Sequence, residues 1–293
     1  MRMPDVGDAV LAIDIGGTKM LGALVEGAVV SDIVRISTPS SGEPGEWIES
    51  LLRAAPEWDG RYTRVGAAVT GFIENGCWMA LNRATLSVPD RYPLVSTLET
   101  LTGKPAVAIN DAQAASWGEF GYGAGRGTQS LVFLTVSTGI GGGVVAGGRL
   151  LSGLAGHFGQ IKDDIASSAP FESFVAGRYM AEAARRAGVD TDARGVFEAA
   201  AAGEAWAESI RLQSARRVAT LCTNIQFMLA PEKIVIGGSI GLAPGFIAQI
   251  DTFLDALPIH QRPVLSPAEL GAHAGLIGVA DLSCQSLSAD VKS

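Results

Sequence analysis

Three turns that follow apolar runs carry glycines beside a hydroxyl: Asp14-Ile-Gly-Gly-Thr-Lys19, Ser137-Thr-Gly-Ile-Gly-Gly-Gly143 and Gly237-Gly-Ser-Ile-Gly241. Glycine admits positive φ and lets backbone N–H groups approach an anion closely, which is how such turns cradle phosphate. One glycine turn after a strand is ordinarily only a hairpin. Three of them, each with a Thr or Ser next to the glycines, point to a nucleotide. None fits G-x-x-x-x-G-K-[ST] and none is a G-x-G-x-x-G opening a helix, so neither a P-loop nor a dinucleotide-binding unit is expected.

Asn110 and Asp111 stand where a predicted strand (106–109) meets a predicted helix (111–119). Asn or Asp at that place caps free N–H groups of the helix. A carboxylate at a strand end can also take the proton of a substrate hydroxyl as it attacks a γ-phosphate, and one residue can do both. His157, one of three histidines, lies among glycines in Gly153-Leu-Ala-Gly-His-Phe-Gly159, and Glu172 opens a predicted helix further on. Alone, a single histidine is usually structural and a first-turn glutamate usually complements the helix dipole.

These residues need a frame. Residues 9–15 are an apolar run, 16–18 a glycine turn and 20–25 a second apolar run, which predicts a β-hairpin. The device recurs as a strand at 131–136, a glycine turn over 137–143 and a return strand from Val144. Two copies among alternating strands and helices predict a duplicated α/β architecture with two lobes facing one another. Further strands are predicted at 63–70 and 234–236, and helices at 94–102, 171–187 and 205–229. The last is apolar on more than one face, as a packed central helix is.

The 293 residues are 47% apolar and 18% charged, a composition that folds and buries a large core in one globule or two intimate lobes. Twenty-two Lys and Arg against thirty Asp and Glu give a formal charge of -8, and no basic run is long enough for a nucleic acid. The first residues carry acids where an export signal has lysines, and apolar stretches are broken by Asn224, Gln226, Glu232 and Lys233, so neither export nor a membrane is expected. Cys77, Cys222 and Cys284 lack paired spacing, which suits a reducing cytoplasm and suggests neither disulfides nor a cysteine zinc site.

Leu11-Ala-Ile-Asp-Ile-Gly-Gly-Thr-Lys19, Ile109-Asn-Asp-Ala-Gln-Ala-Ala115, the turn at 137–143 and Gly156-His157 together resemble, in order and spacing, the ROK family of sugar kinases. Ala80-Leu-Asn82, Pro93-Leu-Val-Ser-Thr-Leu-Glu-Thr-Leu-Thr102, Ala108-Ile-Asn-Asp-Ala-Gln-Ala-Ala-Ser-Trp117 and Gly153-Leu-Ala-Gly-His157 are most similar to its bacterial N-acetylmannosamine kinases. The resemblance implies an actin-like (ribonuclease H-like) duplicated two-lobe ATPase fold with the active site in the interlobe cleft. The N-terminal lobe would span 1–112 and the C-terminal lobe 113–273, with a C-terminal helix at about 274–293 returning to the first lobe.

The resemblance also implies ATP and Mg²⁺. Asp14, Gly16, Gly17, Thr18 and Lys19 would surround the phosphates and magnesium, Thr138 and Gly139 would hold the phosphate end, and Gly237 and Gly238 would border the adenosine. Gly71, Asn82, Asn110, Asp111, His157 and Glu172 would bind the sugar, with Asp111 as the base for its 6-hydroxyl. Ala176-Gly-Arg178 resembles the family's Ser-Gly-Arg after that glutamate. The implied activity is phosphorylation of N-acetylmannosamine at the 6-hydroxyl, a step of sialic acid and amino sugar catabolism, by a cytoplasmic homodimer.

Two departures stand out. The family's cysteine zinc knuckle precedes the glutamate, whereas residues 162–171 contain no cysteine and the segment is shortened, so no zinc is expected and apolar packing around Phe171 and Phe174 is predicted in its place. Leu154 stands where glucose-specific relatives carry a glutamate, which disfavours glucose and agrees with the N-acetylmannosamine kinases. A glucokinase or other hexosamine kinase of the family remains an alternative, as does a zinc-less sugar-binding pseudokinase, although Asp111, Thr18 and all three turns are retained. The family's DNA-binding repressors carry a helix-turn-helix ahead of the first strand, where this sequence has eight residues before Ala9.

Overall fold

The computed structural model describes residues 9–80, 88–162, 164–166 and 169–290. Its contacts divide the chain into two units, the first comprising Met1–Tyr122, Ser152–Leu154 and Ala272–Ser293 and the second Gly123–Leu151 and Ala155–Gly271.

In the first unit, β1 (Val10–Ile15) turns through Gly16 to Thr18 into antiparallel β2 (Lys19–Glu26), which pairs with β3 (Val29–Ser37). After α1 (Pro44–Arg53), β4 (Arg64–Val69) lies parallel to β1; a small hairpin, β5 (Phe72–Glu74) and β6 (Cys77–Met79), and α2 (Leu94–Thr102) then lead to β7 (Ala106–Asn110), parallel to β4. The sheet order is β3-β2-β1-β4-β7. Helix α3 (Asp111–Tyr122) leaves directly from the end of β7.

The second unit repeats the plan. β8 (Leu131–Val136) and β9 (Ile140–Ala146) form the hairpin, β10 (Arg149–Leu150) extends it, and after α4 (Gly177–Arg186), α5 (Ala193–Ala201) and α6 (Ala205–Leu229) comes β11 (Lys233–Gly237), parallel to β8. Following α7 (Phe246–Leu254), β12 (Leu265–Pro267) lies parallel to β11, giving the order β10-β9-β8-β11-β12. Both five-stranded sheets thus place an antiparallel hairpin beside three parallel strands. The duplication predicted from two hairpins is present in the whole sheet plan.

Each unit has its own core. Leu11, Ile13, Ile48, Leu51, Trp58, Trp78 and Leu98 are packed in the first, and Val132, Leu134, Met180, Cys222, Ile236 and Phe246 in the second. The last helix, α8 (Ala274–Asp290), belongs to the first unit and lies on α3, β4 and β1. Backbone meets backbone there: a Cβ on Gly118 would strike the carbonyl of Ala274, and one on Gly278 that of Ala114. Asp281 of α8 accepts hydrogen bonds from Trp117 Nε1 at 2.7 Å and Tyr122 Oη at 2.6 Å. Helix α3 therefore stays with the first unit, past residue 112 where the sequence placed the boundary.

Two elements differ from the sequence expectation. The second glycine turn is shorter than 137–143, because β9 begins at Ile140 and Gly141 to Gly143 are strand residues. A Cβ on Gly142 would fall 2.7 Å from the Phe158 ring, so that glycine serves close packing. The helix predicted over 171–187 is broken: Phe171–Phe174 is a 3₁₀ turn, Ala176 is extended at φ -82° and ψ -174°, and α4 starts at Gly177. The break is enforced by outside partners. Gly177 N–H donates to Ser137 O at 2.8 Å and Ser214 Oγ donates to Val175 O at 2.7 Å, bonds that a continuous helix would have kept internal.

Candidate active site

Parallel register assembles the first-unit residues. Ile15 pairs with Val69 and Val69 with Asn110, so Asp14, Thr70, Gly71, Asn110 and Asp111 all lie at the carboxyl ends of β1, β4 and β7. Ligands of open α/β sheets bind at such ends. Asn110, 6% exposed, caps α3 by accepting from the N–H groups of Ala112 at 3.0 Å and Gln113 at 3.1 Å. Its Nδ2 donates to Gly71 O at 2.7 Å and to Asp111 Oδ1 at 2.9 Å. Asp111 Oδ1 also accepts from Ala112 N–H at 2.8 Å, and Oδ2 from Thr70 Oγ1 at 3.1 Å. The carboxylate is therefore held on both oxygens before any substrate arrives.

Asp14 is the second carboxylate of this sheet end. Burial first, then the negative charge of Asp111, push its carboxyl up to about 7, against the pull of Lys19. Two acids that repel each other beside a turn with unspent N–H groups are a donor set suited to a hydrated Mg²⁺ carrying phosphate oxygens. Gly16 N–H bonds Lys19 O at 3.0 Å and Thr38 Oγ1 donates to Gly16 O at 2.6 Å, which pins the turn. Neither Gly16 nor Gly17 has positive φ; a Cβ on Gly16 would stand 3.3 Å from Lys19 O, so tightness rather than handedness favours glycine there. Gly71 is different, at φ +108° with its missing Cβ aimed at the Met79 carbonyl.

In the second unit Ser137, Thr138 and Gly139 link β8 to β9, and Gly237 and Gly238 end β11 one strand away. Among the described residues the N–H groups of Gly17, Thr18, Thr138 and Gly139 donate to no acceptor. Gly237 and Gly238 are close-packing positions: Cβ atoms there would meet the Phe133 ring at 2.8 Å and, with φ +85° at Gly238, the Val136 carbonyl. Glu172 lies on the 3₁₀ turn. Its Oε2 accepts from Ile140 N–H at 3.3 Å, its Oε1 from Gln160 Nε2 at 3.2 Å, and Arg178 Nη2 stands 4.0 Å from Oε1. A Cβ on Gly139 would sit 2.6 Å from Glu172 Oε2, so the glycine between β8 and β9 and this carboxylate are immediate neighbours.

His157 is half-buried and follows Gly156, which has φ +88° and packs on the Gly142 carbonyl, so the loop bearing the histidine rests on β9. Phe171 packs against the second core, whereas Phe174 is 42% exposed and lies under Arg217, with the guanidinium 5.7 Å from its ring centre. Arg217 also donates to Phe174 O. Apolar packing thus accounts for only one of the two phenylalanines. Asn82 lies outside the described residues. Thr70, Gln160 and Arg217 were not singled out from the sequence. Thr70 alone had a visible signal, a hydroxyl as the last residue of the strand predicted over 63–70.

Among the described residues no helix is long and apolar enough to cross a membrane, and no group of three or more His, Cys, Asp or Glu side chains is arranged to hold a metal.

Comparison with known proteins places the chain. It is 45% identical over 280 residues to the bifunctional enzyme NanE/NanK of Brucella melitensis, an alignment that covers 94% of this chain and 54% of that protein, so the chain spans about half of that relative's length. The N-acetylmannosamine kinase of Citrobacter koseri is 40% identical over 284 residues, covering 93% of this chain and 98% of that one. The crystal structure of a ROK family glucokinase from Streptomyces griseus in complex with glucose and AMPPNP superposes with a TM-score of 0.80 at 26% identity, over 94% of this chain and 99% of that one. These likenesses carry the actin-like fold of the ROK kinases. The sequence profile of the ROK family matches residues 10–286, and the chain belongs to that family.

Proposed function

We propose that the protein is an ATP-dependent kinase that phosphorylates N-acetylmannosamine on its 6-hydroxyl. The observation that carries this reading is the Asp111 carboxylate, fixed by Ala112 N–H, Asn110 and Thr70 at the end of β7 beside Asp14. Asp111 takes the proton of the sugar 6-hydroxyl as O6 forms its bond to the γ-phosphorus and the bond to the bridging oxygen of ADP breaks. Asn110 and Thr70 hold the carboxylate still, so little reorganisation is left for the reaction. The unspent N–H groups of Gly17 and Thr18 in the first unit, and of Thr138 and Gly139 in the second, are each suited to phosphate oxygens. Bound Mg²⁺ supplies positive charge against the charge that builds on those oxygens.

Glu172 and His157 accept and donate to sugar hydroxyls, and Gly71 and Asn82 complete the sugar contacts. Support for an amino sugar comes from the relatives' names and from Leu154, 62% exposed on a loop tied to α3 by Gln113 Nε2 donating to Gly153 O at 3.0 Å. An exposed apolar side chain suits an acetamido methyl and offers no acceptor to a hydroxyl. The protein acts in the cytoplasm as a homodimer in this reading.

The test is a coupled ADP-release assay with ATP and Mg²⁺ against N-acetylmannosamine, N-acetylglucosamine, glucose and mannose. The expected outcome is preference for N-acetylmannosamine, with Asp111→Asn retaining sugar binding and losing most turnover. Turnover of glucose alone would keep a kinase and discard this substrate. Near-normal turnover by Asp111→Asn would remove the assignment of the base.

A further inference from the structure

Glu172 stands on a short 3₁₀ turn, Phe171–Phe174, which has no helix of its own to hold it. A four-residue turn with no fully buried residue is a weak platform for a carboxylate that must face the Gly139 turn. What fixes it comes from α6. Ser214 Oγ donates to Val175 O at 2.7 Å from a buried position, Gln213 accepts from Tyr179 Oη at 3.0 Å, and Arg217 donates to Phe174 O. Arg217 lies four residues from Gln213 and three from Ser214, so it is the surface neighbour of both on α6.

Arg217 does the most. Its guanidinium lies 5.7 Å from the Phe174 ring centre and 5.1 Å from that of Tyr179, so it joins the turn to the first helical turn of α4. Among the described residues no carboxylate is within ion-pair distance of it. A partly buried arginine without an acidic partner is stabilised by ring faces and by the one carbonyl. The planar fork can stack and donate at once, which a lysine ammonium cannot do.

We propose that Arg217 is a positioning residue for sugar recognition, acting through Glu172: it locks the 171–174 turn so that the carboxylate stays against Ile140 N–H and Gly139. This rests on the reading that Glu172 contacts the sugar. Glu172 in turn is tied to Gln160, so the lock also sets the loop after His157.

The experiment compares Arg217→Ala, Arg217→Lys, Glu172→Gln and the double variant Glu172→Gln/Arg217→Ala in steady-state kinetics and in calorimetric binding of N-acetylmannosamine to the full chain. Arg217→Ala is expected to raise the sugar KM and the calorimetric Kd about tenfold while kcat and the KM for ATP stay within about twofold, the signature of a misplaced ground-state contact. Arg217→Lys should fall between wild type and Arg217→Ala, and it supplies the readout if Arg217→Ala does not fold. The double variant should be no worse than Glu172→Gln, because both changes remove one contact. An unchanged sugar KM in Arg217→Ala and Arg217→Lys, or losses that simply multiply in the double variant, would overturn the proposal. If Glu172→Gln itself binds sugar normally there is nothing to position, and the proposal falls with it. Failure of the N-acetylmannosamine reading shows separately, in the wild-type sugar panel.

Discussion

Asp14→Asn tests the electrostatics of the first unit in a protein free of ligand. An acid whose folded pKa lies above its unfolded value penalises the fold once it is charged. With 3.8 as the ordinary value and about 7 in the fold, the penalty is absent below pH 4, grows between the two values and is complete above pH 7. The difference of about three pH units corresponds to ~4 kcal/mol as an upper bound, since ions and local relaxation reduce it. The asparagine keeps shape and polarity and removes the charge. In EDTA, Asp14→Asn should therefore melt several degrees above wild type at pH 8 and close to wild type at pH 4.5, a shift of ~2 to 4 °C for each kcal/mol. Differential scanning fluorimetry across that range is the assay. A melting difference independent of pH, or a variant less stable at pH 8, would refute the raised pKa that burial and the charge of Asp111 give Asp14. Adding Mg²⁺ with ATP should then raise wild type more than the variant, because a cation offsets the buried charge of Asp14.

Gly278→Ala should cost more than ~3 kcal/mol and leave little soluble protein, because its Cβ has no space against the Ala114 carbonyl; expression and urea unfolding check this. Asp281→Asn should lower stability by ~2 to 3 kcal/mol by weakening the acceptor for Trp117 and Tyr122, read from the urea midpoint. Thr70→Val should lower kcat about tenfold with a smaller effect on the sugar KM, since one oxygen of Asp111 loses its anchor, and steady-state kinetics decide. Metal analysis of the purified protein should find no stoichiometric zinc, and a bound equivalent would mean that the 162–171 segment holds a site.

The two hairpins and the strands that follow them were legible because their signals are local: apolar runs at 9–15 and 131–136 ending in glycine turns, and an Asn-Asp pair between a strand and a helix; β3, β10 and β12, which complete the sheets, were not read. Helices 94–102 and 205–229 match α2 and α6 end to end. What could not be read depended on partners far away in sequence. The break before α4 is made by Ser137 and Ser214, and within residues 171–187 only Gly177 hints at it. Gly141 to Gly143 looked like a turn because glycine's freedom and its small size leave the same mark, and only the Phe158 ring on Gly142 tells them apart. At the site, residues adjacent in sequence, Asp14 to Lys19 and Asn110 with Asp111, were readable as groups. The strand that carries Thr70 was readable, but its contact with Asp111, like that of Arg217 with Phe174, comes from parallel register and helix packing, which local pattern does not encode.

Helix α8 has a consequence for how the protein is made. The first unit is discontinuous: its sheet and α3 are complete by Tyr122, yet the helix that covers β1 and β4 begins only at Ala274. At a translation rate of 5 to 20 residues per second, a nascent chain waits roughly 10 to 30 s between the two. During that interval the apolar face that α8 will cover and Gly118 of α3 are exposed, while the second unit, which ends only at Gly271, is still being made. A released chain ending at Gly271 should accordingly bind trigger-type chaperones through its N-terminal half and resist proteolysis only in the second unit, which is complete in it.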